Sequence, residues 1–164
     1  MKVGQVVECD FGNYRPDALG GHHVDGRIPP EMIKRRLAVL RNVKLGDGCV
    51  VVPVSSRHDA GKEKRGYHVR IHCRHIPATA RWTPCERWAK AELMQYVSQR
   101  RLFTMRDDSK LFIKPLLPRE LVAQIQRAVM RAIGGTGLLS LNIPAGIPAE
   151  ALDSAVLGEH HPFP

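Results

Sequence analysis

No apolar run in the 164 residues approaches the roughly 20 needed to cross a bilayer. The opening Met1-Lys2-Val3-Gly4-Gln5 also lacks the apolar block of a signal peptide. A soluble, cytoplasmic protein with no membrane partner is expected. Cysteine is scarce: Cys9, Cys49, Cys73 and Cys85 are irregularly spaced in a chain long enough to fold without staples. That excludes a disulfide framework and predicts free thiols. Basic residues are missing from one end. All 25 lysines and arginines precede Gly134, and residues 134–164 carry only Glu150, Asp153 and Glu159 as charges.

What is present is a basic body with enough apolar content to fold. Apolar residues make up 43% of the chain, which excludes a wholly disordered or collagen-like polymer, and the length suits one domain. Residues 1–133 hold 25 basic against 13 acidic side chains, a net +12, while the tail carries −3. Such an excess favours a polyanionic partner, most often nucleic acid, because each neutralised phosphate releases a counterion. A solvated basic surface is the alternative.

The hydrophobic pattern is mostly of period two. From Val3 to Phe11, Val3, Val7, Cys9 and Phe11 alternate with Glu8 and Asp10, predicting a half-buried strand. Residues 12–36 have no periodicity, and a loop of that length inside a compact domain is usually functional. Leu37–Leu40 and Cys49–Val54 flank Gly46-Asp47-Gly48 and predict a hairpin. Asp59–Gly66 reads as a polar loop. In the next strand Tyr67, Val69 and Ile71 face the core, and His68, Arg70 and His72 form a basic outer stripe. Trp88–Leu93 predicts a further strand with Ala89, Ala91 and Leu93 inward and Lys90 and Glu92 outward. Several short strands in succession argue for a small barrel or sandwich. Pro118-Arg119-Glu120 opens one long helix, Leu121, Ile125, Ala128, Val129 and Ile133 supply its apolar stripe, and Gly134-Gly135 ends it. The domain is therefore drawn over 1–133, with 134–164 as a loosely ordered tail that includes a short helix at Ala149–Leu157.

Two side-chain groups could carry chemistry. His72, Cys73, His75 and Cys85 are crowded enough to suggest zinc, but no C-x2-C pair is present and strand alternation sends His72 and Cys73 to opposite faces. No metal or other cofactor is expected. The second group comprises Arg36 at a strand entrance, Ser55 and Ser56 at a neighbouring strand's end, and Lys90 with Glu92. For splitting a phosphodiester this supplies a base, a cationic donor and a phosphate clamp. An exposed Lys90–Glu92 ion pair worth at most about 1 kcal/mol is the other reading, and spacing alone favours it.

At these residues the sequence resembles the MazF/PemK family of toxins from type II toxin–antitoxin systems. Gly4 through Phe11 is similar to the family's opening "G-(D/E)-(V/I)" strand, and Glu31 lies five residues before Arg36 and a hydrophobic strand. Val50 through Ser56 matches "V-V-V-P-(V/L)-(T/S)-S", and Glu92 through Leu102 resembles an acidic strand followed by a "T-I-D-x-x-R-L"-like turn. The order and approximate separations hold over residues 4–133.

The resemblance implies an SH3-like small β-barrel with a C-terminal helix, usually a homodimer. It also implies a sequence-specific endoribonuclease that cuts single-stranded RNA without a metal and is neutralised by an antitoxin protein. Carried over residue by residue, it places catalysis on Arg36, Ser55, Lys90 and Glu92, with RNA contacts expected at Glu31, Arg35, Ser56, His68 and Arg70. The 2′-hydroxyl would attack the adjacent phosphate, with Glu92 as base and Lys90 as acid or stabiliser. A non-catalytic toxin similar to the gyrase-binding CcdB, or a plain nucleic-acid-binding barrel, are the alternatives.

Overall fold

Gly46 turns the chain with a positive φ of 61° and joins the two longest strands into the hairpin that organises the molecule. The computed structural model describes residues 1–12, 31–79 and 81–140. In chain order they form β1 (Val6–Asp10), β2 (Arg35–Leu45), β3 (Gly48–Ser55), α1 (Ala60–Lys64), β4 (His68–Ile71), β5 (Arg87–Lys90), β6 (Gln95–Ser98) and β7 (Leu102–Phe103). Then come β8 (Met105–Arg106), β9 (Phe112–Ile113), α2 (Arg119–Ala132) and α3 (Thr136–Ser140). Short 3-10 turns lie at Cys73–His75, Ala91–Leu93 and Gln99–Arg101. No described helix is long and apolar enough to cross a membrane.

The main sheet is antiparallel, in the order β4-β5-β3-β2-β1-β7, with β6 also on β3 and a separate β8–β9 pair. Alternation along β2 sorts its side chains into two cores. Leu37 and Val39 join Val6, Val52, Val54, Ile71 and Ala89 on one face, where Ile125 of α2 completes the cluster. Ala38 and Leu40 join Val7, Cys9, Phe11, Cys49, Val51, Val97 and Leu102 on the other. Strands covered on both faces read as continuous apolar runs. For that reason β1 is not the half-buried strand its alternation suggested: Val6 is fully buried opposite Val7, and Glu8 is 9% exposed.

β5 and β6 both pair with β3, β5 at Val54 and Ser55 and β6 at Gly48–Val51. They are one path along β3's edge, broken by the Ala91–Leu93 turn. The expected continuous strand Trp88–Leu93 therefore stops at Lys90, where the Ala91 N–H bonds the Tyr67 carbonyl instead of continuing the β3 ladder. From β6 the Gln99–Arg101 turn leads to β7, which pairs with β1, so this segment bridges β3 and β1, the two neighbours of β2, beside the second core. Among the described residues β4 and β7 end the sheet's path and no ladder joins them, so ladder closure into a barrel is not shown.

Gly4, at φ 82°, lets the chain before β1 approach α2 closely; a Cβ there would sit 2.6 Å from the Val122 side chain. The helix α2 buries Ile125 and Ala128, half-buries Leu121 and Val129, and ends where Gly134 takes φ 79°. Its expected stripe overreaches by one residue, since Ile133 is the cap and 59% exposed. Two further expectations differ from the fold. Asp59–Gly66 contains α1, N-capped by Asp59 Oδ1 accepting from the Lys62 N–H. The segment expected as a tail begins with α3, while Ala149–Leu157 lies outside the described residues.

Candidate active site

The strand pairing lines up one row of side chains at the ends of the strands. Cys9 pairs with Arg36, Ser55 with Trp88, and Trp88 with Arg70. The β2–β3 register, continued one residue from Leu37↔Val54, sets Arg36 opposite Ser55. Cross-strand partners in antiparallel sheets share a face, so these residues lie in one band. Arg36 and Trp88 are two strands apart, about 10 Å between Cα atoms. The Arg36 Nε donates to the Ile33 carbonyl at 3.3 Å, and Ser55 Oγ accepts from the Arg57 N–H at 3.1 Å. Two residues beyond Trp88 on the same face lies Lys90, paired with His68.

Glu92 reaches this face from the Ala91–Leu93 turn rather than from a strand. Its Oε1 accepts from His68 Nε2 at 2.8 Å and from Lys62 Nζ at 2.9 Å. The exposed Lys90–Glu92 pair that spacing favoured is thus replaced by contacts from two other residues. Glu92 Oε2 is buried and has no hydrogen-bond partner among the described residues. Desolvation pushes the Glu92 carboxyl up, but the hydrogen bonds from Lys62 and His68 outweigh it and hold the group below the usual carboxylate range. Burial lowers Lys90 from its ordinary value; Glu92 opposes that shift and Lys62 adds to it.

Lys62, absent from the expected set, arrives because Asp59 starts α1 directly over β4. The helix also explains His68: instead of standing in an exposed basic stripe, its side chain is completely buried against Glu92. His58, just before α1, stacks on Trp88 at 4.7 Å between ring centroids. An aspartate followed by Lys62 and Glu63 was the sequence signal for this element, masked by Gly61 and by the high charge.

The remaining expected RNA contacts divide. Glu31 and Ser56 are exposed at the same end of the sheet as Arg36. Arg70 is exposed in the row but held by Glu86 at 2.7 Å. Arg35 leaves β2 on the face opposite Arg36, where its Nε lies 3.4 Å from the Glu8 carboxylate and its guanidinium covers Phe103 at 3.5 Å.

His72 and Cys73 do not separate as alternation implied. The chain leaves β4 at Ile71 and turns, bringing Cys73 Sγ within 3.5 Å of His72 Nδ1. With Glu86 they form the one group among the described residues spaced for a metal, their ligand atoms within 4.8 Å of one another. Glu86 Oε2 already accepts from Arg70, and His72 Nδ1 from the Arg74 N–H. His75 and Cys85 are not among its ligands.

A small, mainly antiparallel β protein with helices, carrying a basic and hydroxyl-bearing row at its strand ends, is the class that fold and site define. Residues 2–133 match the model of the PemK-like, MazF-like toxins of type II toxin–antitoxin systems, and the chain belongs to that family. It is 46% identical over 143 residues to the Escherichia coli (strain K12) protein YifN, covering 85% of this chain and 95% of YifN. It is 42% identical over 138 residues to a Haemophilus influenzae (strain Rd) protein, covering 84% and 93%. Two solved structures are similar, each with a TM-score of 0.45. The Mycobacterium tuberculosis toxin MazF-mt6 has 9% identity, over 63% of this chain and 91% of that one. A mycobacterial endoribonuclease in complex with its cognate antitoxin has 12% identity, over 82% and 95%.

Proposed function

We propose that this toxin is a metal-independent endoribonuclease that cuts single-stranded RNA at specific sequences and is neutralised by an antitoxin. The observation that carries the reading is the Glu92 carboxylate, anchored through one oxygen to Lys62 and His68 beside Lys90, on the face that also bears Arg36 and Ser55. RNA contains its own nucleophile, so the reaction needs proton transfer and charge stabilisation rather than an activated serine or a metal-bound water.

Glu92 takes the proton of a ribose 2′-hydroxyl, whose oxygen then attacks the adjacent phosphorus. Arg36 grips the non-bridging oxygens of the pentacoordinate phosphate with its planar fork, which a lysine cannot copy, and Ser55 adds a hydroxyl donor. Lys90 delivers a proton as the bond from phosphorus to the 5′-oxygen breaks. The products are a 2′,3′-cyclic phosphate and a 5′-hydroxyl, and solvent returns one proton to Lys90 and removes one from Glu92. The two pKa directions suit these roles: a base already ionised near neutrality, and an ammonium made more acidic by burial. The basic body attracts RNA, and an acidic antitoxin segment laid over the same face would compete with it. We also place the fold with the SH3-like barrels and the protein in the cytoplasm as a homodimer.

Long single-stranded RNA incubated with the purified protein in EDTA tests the reading. The expected fragments carry 5′-hydroxyl ends that a polynucleotide kinase labels without prior phosphatase. RNA that is bound yet stays intact would point instead to a non-catalytic binder.

A further inference from the structure

Behind the row just described, on the other face of β2, three arginines line a second cleft. Arg35, Arg81 and Arg106 surround about 370 Å³ together with Glu8, Phe103 and the hydroxyls of Thr79 and Thr104. Among the described residues that line it, Glu8 is the only acidic one. Its carboxylate is buried and accepts from the Trp82 indole N–H at 3.2 Å and from Arg81 at 3.5 Å, with the Arg35 Nε at 3.4 Å. That Nε is itself buried and has no hydrogen-bond partner among the described residues. Arg106 stacks on Phe112 at 4.3 Å, and no described carboxylate lies within ion-pair distance of it. The described lining thus sets three guanidiniums against one carboxylate. Thr79 Oγ1 accepts backbone N–H groups from Arg81 and Trp82, so its own proton remains to be donated into the cleft.

Fork-shaped cationic donors converging with two hydroxyls suit the tetrahedral, several-acceptor geometry of a phosphate. The cleft also has a fixed relation to Arg36. Arg35 and Arg36 are consecutive, their Cα atoms about 3.8 Å apart, and alternation at the start of β2 sends one side chain to each face. A polynucleotide rounding that strand end would pass from one guanidinium to the next. We infer that the Arg35–Arg81–Arg106 cleft binds a backbone phosphate of the RNA flanking the cleavage point, extending the bound strand around the end of β2. The inference rests on the RNA reading above, and its test separates the two.

The probe is a fluorescein-labelled 2′-O-methyl oligoribonucleotide, which has no nucleophile and stays intact. Its affinity for the full chain is measured by anisotropy across a series of KCl concentrations. For single strands each lost phosphate contact lowers the slope of log K against log salt by about 0.7. Arg81→Ala and Arg106→Ala are each expected to lower the slope by that amount and to weaken binding. Arg81 touches buried Glu8, so its variant could lose stability; Arg106 does not touch Glu8, and its variant keeps the test open. If both variants retain the wild-type slope while the wild type cuts unmodified RNA, the cleft proposal is wrong and the catalytic reading stands. If Arg106→Ala lowers the slope and the wild type leaves unmodified RNA intact, the cleft is supported and the catalytic reading fails. Inorganic phosphate broadened in its 31P resonance by wild type but not by Arg106→Ala, with RNA slopes unchanged, would assign the cleft to free phosphate and overturn the inference. A fluorescein-labelled glutamate-rich peptide whose anisotropy rises with wild type but not with Arg106→Ala, with RNA slopes unchanged, would assign it to a protein partner and overturn it equally.

Discussion

Glu92→Gln exchanges one carboxylate oxygen for an amide nitrogen at nearly constant volume, so it removes the proposed base while leaving the turn filled. A positioned general base contributes about 10²–10⁴-fold, or about 2.7–5.4 kcal/mol of barrier at 1.36 kcal/mol per tenfold. The stability cost is smaller. Lys62 is 38% exposed, and a pair of that kind is worth at most about 1 kcal/mol. The buried His68 bond belongs to the charge-assisted class worth about 1.5–3 kcal/mol, part of which the amide oxygen retains by still accepting from Nε2. Each 1 kcal/mol lost lowers Tm by about 2–4 °C in a protein of this size. Single-turnover cleavage of a chimeric oligonucleotide with one ribonucleotide, well below the variant's Tm, separates the two effects. The expected result is a rate down by at least 100-fold in a protein that still melts cooperatively. A folded variant cutting within threefold of wild type would refute Glu92 as the base, and with it the functional reading of the Lys62–His68–Glu92 cluster.

Glu92 must be ionised to act and its folded-state value is depressed, so the acid limb of the rate profile should lie below the ordinary carboxylate range. Lys62→Met removes a hydrogen bond to the ionised form and should move that limb upward; a limb that stays put would separate Lys62 from the base. Lys90 must be protonated to act and burial lowers it, so the basic limb should fall below the ordinary lysine value. Lys90→Arg should carry that limb out of range while slowing the reaction, and a basic limb left in place would exclude Lys90 as the donor. Gly4→Ala forces a residue with a Cβ into a left-handed conformation, costing about 1–2 kcal/mol, and pushes against Val122. Calorimetry should show a lower Tm, and an unchanged value would mean that α2 does not seat there. Ile125→Ala should cost about 2–5 kcal/mol in chemical denaturation with the cleavage pattern retained; a cost under 1 kcal/mol would deny α2 its part in the core.

The parts of the fold that were legible in the sequence are those whose own residues decide them. The hairpin around Gly46 and the helix from Arg119 need only a turn-forming glycine and a period-3.6 stripe. What escaped depended on a neighbour. Lys90 and Glu92 alternate like strand residues, yet β5 pairs with β4 as well as β3, and the chain turns at Ala91 to bond Tyr67. His68 sits in an outward register, yet α1 packs on β4 and the side chain is buried against Glu92. Lys62 meets Glu92 across 30 positions in sequence, a contact that no local pattern encodes. The strand-end row around Arg36 and Ser55 was foreseeable because two adjacent strands begin and end there; the choice of face between Arg35 and Arg36 required the pairing register.

That choice makes the tandem arginines unequal. Displacing β2 by a single position against β1 would carry Arg35 across to Ser55 and swing its neighbour toward Glu8, while turning Leu37 and Val39 out of the core that α2 closes. The packed interior of this small protein therefore acts as the selector for its surface chemistry. Substitutions that loosen the apolar pairing of β2, far from any phosphate, should blunt cleavage by scrambling which guanidinium meets the reacting group.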